Sequence, residues 1–419
     1  MANNQASRVT QHLESVNAAP WKHSAVNLVS REFKADPFPF YARLRAEQPV
    51  CCVKVSLLPG VRQAWLVTRY DDVVMVLKDS RFSKSRLSAT KPPWVPGFAK
   101  PLERNMLDLD EPDHTRLRTL VHKAFTPAMV ERMRERIQGI ADQLLDAVEH
   151  KHSMDLVRAY ALPLPLTVIV ELLGIPLKDR DRFHRWCKAV ITTPTLLNML
   201  RAFPSLMAFM RYLRRLVRRL RSTPRDGLLT ALVQVEEAGD RLSEDELLAM
   251  AVLLLIAGHE TTVNLIASGT LALLQHPEQL KLLRGNPSLI GPAVEELLRF
   301  TNPLETATER FTREDVAVAG TTIPRGVVVL AAIASANRDE TQFRNPDTVD
   351  ITRENNRHLA FGQGAHFCLG APLARLEGQI AINTIVRRLP GLQLAVPAES
   401  LRWRATPILR GLEALPVRF

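Results

Sequence analysis

A chain of 419 residues, 46% hydrophobic and 24% charged, can bury a large core, and its four cysteines are too few for a disulfide framework. The polar stretch 1–14 carries no signal pattern, and the longest apolar run, Leu247–Ala257, falls well short of the ~20 residues of a membrane span, so a cytoplasmic protein without a membrane anchor is expected. A net charge of +11 suits an acidic partner, while no nucleic-acid module stands beside it and no nucleic acid is expected as a partner.

At ~150 residues per domain the length would give roughly three domains. No Ser/Gly linker, low-complexity tract or internal repeat divides the chain. One mainly α domain with small β-sheets is therefore expected over 1–419, with 1–36 a loosely ordered N-terminal segment. The first helical pattern is Pro37–Arg45, and Val50–Val55 and Gln63–Thr68 alternate like two strands around Pro59-Gly60. Asp71–Asp79 reads as a helix, Phe82–Leu102 as an irregular loop carrying Trp94 and Phe98, and Pro112–Phe125 as a short helix. Thr126 before Pro127 reads as an N-cap with proline in the first turn. Almost everything from there to Gln275 has a helical pattern. Within it, the arginine-rich stretch Arg211–Arg221 overlies an apolar stripe of Leu213, Leu216, Val217 and Leu220, the pattern of a solvated face on a half-buried helix.

Ser243 stands three residues before Glu246, a capping box, and the pattern it opens runs from 244 to 275. At ~1.5 Å per residue such a helix is about 48 Å long and must cross the core. Its middle reads Ala257-Gly258-His259-Glu260-Thr261-Thr262. Glycine followed by hydroxyl side chains lets a helix kink, and an acid beside an alcohol is costly there unless paired or functional. It is not a zinc-protease start, because Val263 stands where the second histidine is needed. Further on, Glu296 and Arg299 share one helix face. Asp315–Val318 reads as a short strand, Gly320–Pro324 as the turn after it, Val327–Ile333 as an apolar strand, and Leu392–Phe419 as pieces of small sheets.

The most informative stretch is Phe361-Gly362-Gln363-Gly364-Ala365-His366-Phe367-Cys368-Leu369-Gly370, just before an apolar helical pattern, Ala371–Leu389. Glycine permits tight turns, and a helix N-terminus offers unpaired N–H groups to an anion. Cys368 is therefore expected to have a lowered pKa and act as a thiolate, either a nucleophile or a metal ligand.

This string resembles the haem-thiolate signature Phe-Gly-x-Gly-x-x-x-Cys-x-Gly of the cytochromes P450, with Phe361, Gly362, Gly364, Cys368 and Gly370 in register. Ala257-Gly258-His259-Glu260-Thr261-Thr262 resembles that family's oxygen-binding motif, and Glu296-Leu297-Leu298-Arg299 its Glu-x-x-Arg motif. The resemblance implies the cytochrome P450 fold, with a long central helix over haem b bound through Cys368. Thr261 would hydrogen-bond dioxygen, the co-substrate, and Glu260 would relay protons. Arg353 would be the second arginine meeting Glu296 and Arg299. His114, Arg118, Arg310 and His366 would contact the haem propionates.

The implied activity is that of a monooxygenase inserting one oxygen atom from O2 into a hydrophobic small molecule. No flavin or iron–sulfur module is visible, so electrons would come from a ferredoxin or flavodoxin and its NAD(P)H-dependent reductase. A peroxide-driven peroxygenase and a non-catalytic haem sensor are the rivals; Glu260 and Thr261 weigh against both. By the family's landmarks, Trp94, Phe98, Ala257, Leu304, Glu305 and Ile408 are pocket candidates, mostly apolar.

Overall fold

Capping chemistry sets where the helices start. The computed structural model describes residues 27–58, 61–85, 104–176, 179, 182, 185–186, 196–237, 239–406 and 408–419. Ser30 Oγ accepts from the Phe33 N–H at the start of α1 (Arg31–Ala35), and α2 (Phe38–Glu47) has proline in its first turn. α3 (Tyr70–Lys78) and α4 (Asp113–Ala124) follow. Thr126 accepts from the Met129 N–H to open α5 (Pro127–Arg132), which leads into α6 (Arg134–Glu149). α7 (Pro163–Leu172), α8 (Leu196–Ser222) and α9 (Leu228–Gln234) precede the central pair, α10 (Glu244–Ala257) and α11 (Glu260–Gln275). The later helices are α12 (Pro277–Gly285), α13 (Ile290–Thr301), α14 (Ile333–Ala336) and α15 (Ala371–Arg388).

Strands β1 (Val50–Leu58), β2 (Val61–Val67), β3 (Phe82–Ser83), β4 (Ser153–Asp155), β5 (Glu236–Glu237) and β6 (Asp240–Arg241) lie in the first part of the chain. β7 (Arg310–Thr312), β8 (Val316–Val318), β9 (Thr321–Ile323), β10 (Val328–Ala331), β11 (Gln393–Leu394) and β12 (Pro416–Arg418) lie in the second. The largest sheet has the order β1-β2-β10-β7-β3. Its β1–β2 hairpin puts Val53 opposite Ala64, and β10 runs parallel to β2. The expected turn Gly320–Pro324 is shorter than its reading: Ala319 and Gly320 both take left-handed φ, at 48° and 76°, which frees Thr321–Ile323 to pair with Val316–Val318.

The expected continuous helix 244–275 is two α-helical segments meeting at Gly258 and His259. The Thr261 hydroxyl donates to the Ala257 carbonyl at 3.1 Å at this joint. Glycine is required at 258, because a Cβ would lie 2.5 Å from the Leu254 carbonyl oxygen and 3.0 Å from Ile169 Cδ1. Taken as one stretch, Glu244–Gln275 is long and apolar enough to cross a membrane, but its most hydrophobic window is 61% buried within the protein, as in a core helix. α11 packs on α13 and α15, bringing the central helix and the helix after Cys368 together.

The N-terminal segment differs from its expectation where it is described. Lys34 is fully buried, and Arg410 donates to the carbonyls of Lys34 and Ala35 at 3.0 and 3.1 Å. Arg31, Lys34 and Ala35 are thus tied to the C-terminal region. Ion pairing, backbone capture and the packing of Leu28 and Phe33 hold this stretch.

Candidate active site

The loop before α15 closes on itself. The Cys368 N–H donates to the Phe361 carbonyl at 2.9 Å, and the Phe367 N–H to the Gly364 carbonyl at 3.0 Å. Gly362 and Gly364 take left-handed φ, 69° and 73°, and a Cβ on Gly364 would meet the Leu77 carbonyl oxygen at 3.0 Å. The Ala371 N–H donates to the Cys368 carbonyl at 3.4 Å. The expected lowering of this thiol's pKa does not occur. Desolvation pushes it up, against the pull of the Gly370 N–H, Arg118, Arg375 and the Ala371 N–H. Cys368 is nonetheless exposed. The two facts fit a sulfur that faces a recess walled by protein.

Basic side chains gather beside this loop. The His114 and His366 rings lie 4.2 Å apart, and neither ring nitrogen of buried His114 has a hydrogen-bond partner. Burial, the neighbouring His114, Arg310 and Lys84 push His366 down to about 3. Burial likewise lowers His114, and it lowers Arg310 to about 10. Arg310 Nε is buried without a partner. Arg118 Nη2 donates to the Phe367 carbonyl at 2.7 Å. Lys84, which no motif marked, completes the group: it donates to Thr308 Oγ1 and the Glu309 carbonyl, and burial holds it at about 8. The nearby acid, Asp110, already accepts from Ser83, Arg313 and the Lys84 N–H. Arg118, Arg310 and Lys84, with two histidines whose N–H groups can donate, fit a group that brings its own carboxylates.

On the central helix, the side chain of Glu260 turns to the C-terminal hairpin. Glu260 Oε2 accepts from Arg404 Nη1 at 2.7 Å, and its Oε1 lies 3.7 Å from His259 Nε2. His259 Nδ1 bonds to the Leu255 carbonyl at 2.6 Å, leaving its buried Nε2 without a partner. Burial lowers the His259 pKa, while Glu260 opposes it. Ala257 is exposed and Thr261 partly so, one turn apart.

Two ion-pair networks brace the cysteine side. Arg299 makes a two-pronged pair with Glu296 at 2.7 and 2.8 Å, both side chains fully buried, and Arg353 Nε joins the same carboxylate at 3.0 Å. The Asp350 N–H and Asn356 also donate to Glu296. Beside it, Arg375 grips Glu295 with two bonds of 2.8 Å, His358 adds a third contact at 3.1 Å, and the Arg375 guanidinium stands 4.5 Å from the Phe361 ring centre. Burial alone would raise Glu295, but these hydrogen bonds hold it down at about 2.

Of the pocket candidates, Trp94 and Phe98 lie outside the described residues. Leu304 and Ile408 are brought together, through a bridge between Leu304 and Leu409 and a 2.8 Å bond from the Glu305 N–H to the Ile408 carbonyl. Glu305 carries a structural load. Its carboxylate is buried and held by Lys34 and Tyr41, each at 2.8 Å.

Residues 181–286 and 288–391 match the model of the family "Cytochrome P450". The chain is 46% identical to the cytochrome P450 monooxygenase PikC of Streptomyces venezuelae, over 93% of each chain. Its structure is similar to that of the bacillaene polyketide synthase cytochrome P450 PksS of Bacillus subtilis, with TM-score 0.88 and 43% identity, covering 94% of this chain and 99% of that one. It is also similar to P450BioI in complex with a hexadec-9Z-enoic acid ligated acyl carrier protein, with TM-score 0.85 and 39% identity, covering 93% and 99%. A thiol loop, a cluster of basic side chains and a kinked central helix on this fold define a haem-thiolate monooxygenase class. The chain belongs to the cytochrome P450 family, and its cofactor is haem b with O2 as co-substrate.

Proposed function

We propose that this protein hydroxylates a hydrophobic small molecule, with Cys368 as the residue whose sulfur would hold the haem iron and His114, Arg118, Arg310 and His366 as those that would hold the propionates. The single observation that carries the reading is the open Cys368 sulfur before the start of α15, with basic side chains beside it that include the unpaired ring nitrogens of His114 and the unpaired Nε of Arg310. When bound, haem supplies the oxidation chemistry itself, and a thiolate ligand favours O–O cleavage.

The chain's own groups bind, orient and move protons. Phe361, under the Arg375 guanidinium, and Gly362, whose left-handed turn starts the loop, fix the path of the backbone to Cys368. Thr261 holds its proton on the Ala257 carbonyl and can present its oxygen as an acceptor on the same helix face as Ala257. Glu260 is the acid nearest to it in sequence, partly exposed and so able to exchange protons with solvent. Apolar Ala257, Leu304 and Ile408 would exclude water. Similarity to relatives named for polyketides and to one bound to a fatty acyl chain supports a substrate of that apolar kind. A ferredoxin or flavodoxin and its NAD(P)H-dependent reductase would deliver electrons in the cytoplasm, to one catalytic domain.

The test is substrate and partner dependence. Screening polyketide lactones and fatty acids for a haem spin-state shift should find a binder, and its oxidation should require the reductase chain. Turnover on hydrogen peroxide alone, with no response to the reductase, would support the peroxygenase reading instead.

A further inference from the structure

The C-terminal hairpin and the central helix are joined at two points. Trp403 bridges Leu412, and Arg404 is fixed by its N–H on the Gly411 carbonyl at 2.9 Å and by its Nε on the Leu412 carbonyl at 3.0 Å. Gly411 presses so closely on α11 that a Cβ there would sit 1.9 Å from Asn264 Oδ1. One turn before Asn264, Arg404 Nη1 holds Glu260 at 2.7 Å, the two side chains 27% and 12% exposed. The other arm of the hairpin carries Ile408 and Leu409, hydrogen-bonded and bridged to Glu305 and Leu304.

We propose that Arg404 is a positioning residue: it restrains the Glu260 carboxylate on the hairpin side and away from Thr261, so that the hairpin sets when this acid serves the reaction. The inference rests on the reading of Glu260 and Thr261 as the proton relay. Both oxygens of Glu260 are directed elsewhere, to Arg404 and toward His259 Nε2, while the Thr261 hydroxyl is spent on Ala257. The carboxylate must leave the guanidinium before it can reach that hydroxyl. Because the hairpin that carries Arg404 also presents Ile408, a ligand lodged against Ile408 acts on the same lever that holds the acid.

The experiment uses the full-length, haem-loaded protein with a surrogate ferredoxin and its reductase, without added substrate. R404Q should raise oxygen consumption about two- to fivefold, the factor by which losing one partly screened ion pair shifts an equilibrium. R404K should restore the wild-type rate, and the rise should vanish in E260Q/R404Q. Thermal unfolding of the ferric protein supplies a readout free of turnover: the shifts caused by R404Q and E260Q should be non-additive in the double variant. Additive shifts, or an R404Q rate equal to or below wild type, overturn the restraint. E260Q separates the two ideas through the solvent deuterium isotope effect on oxygen consumption. If E260Q leaves it unchanged, the relay reading fails and the restraint fails with it; if E260Q alters it while R404Q does nothing, only the restraint fails.

Discussion

Lys34 Nζ and Glu305 Oε2 lie 2.8 Å apart with side chains 0% and 1% exposed, joining the first described helix to the strand-like segment beside the pocket. Burial lowers the Lys34 pKa while Glu305 opposes that fall, and Tyr41 adds a second bond to the same carboxylate. Removing the acid would take away the carboxylate that faces this buried ammonium. We expect Glu305→Ala to destabilise the protein by about 3–5 kcal/mol, and the combined K34M/E305L to regain much of this, since an apolar pair avoids the desolvation cost. Denaturant unfolding checks both. A stable Glu305→Ala protein with altered ligand preference would return Glu305 to the pocket.

Glu296 is the centre of the second buried network. It serves Arg299, Arg353, Asn356 and the Asp350 N–H together. Glu296→Gln removes the charge that two guanidinium groups share, at about 3–5 kcal/mol. Haem retention after gel filtration, together with the unfolding midpoint, should fall. R353K should cost less, because a lysine keeps the charge but loses the fork that also reaches the Arg344, Asn345 and Thr348 carbonyls.

Stability should fall in acid partly through Glu295. Its folded pKa of about 2 lies below the ordinary value of 4.5, so its contribution is present above 4.5 and is lost as pH falls toward 2. Unfolding midpoints measured across that window should drop more steeply in wild type than in Glu295→Gln. Parallel curves would remove Glu295 from the account.

Thr261→Ala deletes the hydroxyl that bonds the Ala257 carbonyl at the joint of α10 and α11. We expect little loss of stability but a rise in hydrogen peroxide released per NADPH consumed, by roughly tenfold, as proton delivery fails. Thr261→Ser should stay near wild type. Unchanged peroxide yield in the alanine variant would reject the role given to this hydroxyl.

Features encoded within a few residues are legible in the sequence. The Ser243–Glu246 capping box, the Thr126 cap and the helix after Cys368 are local patterns of hydrogen bonding and periodicity. Glu296 and Arg299 sit three apart on one helix, and Arg353, the second arginine the resemblance implies, donates to the same carboxylate at 3.0 Å. What escaped depends on distant segments meeting. Arg404 reaches Glu260 across 144 residues, Lys34 reaches Glu305 across 271, and Lys84 meets Thr308 across 224. Each stands among other charged residues in its own stretch, and nothing local singles out its distant partner. The Cys368 thiol shows the opposite error: its helix N-terminus was visible, but the desolvation that outweighs it comes from the surrounding walls.

The most direct measurement is the carbon monoxide difference spectrum of the reduced protein, for wild type and Cys368→Ala. We expect the strongly red-shifted band of a thiolate-ligated ferrous haem in the first and its loss in the second. A wild-type protein that takes up haem but shows only a nitrogen-ligated spectrum, or an alanine variant that keeps the shifted band, would contradict the assignment of Cys368.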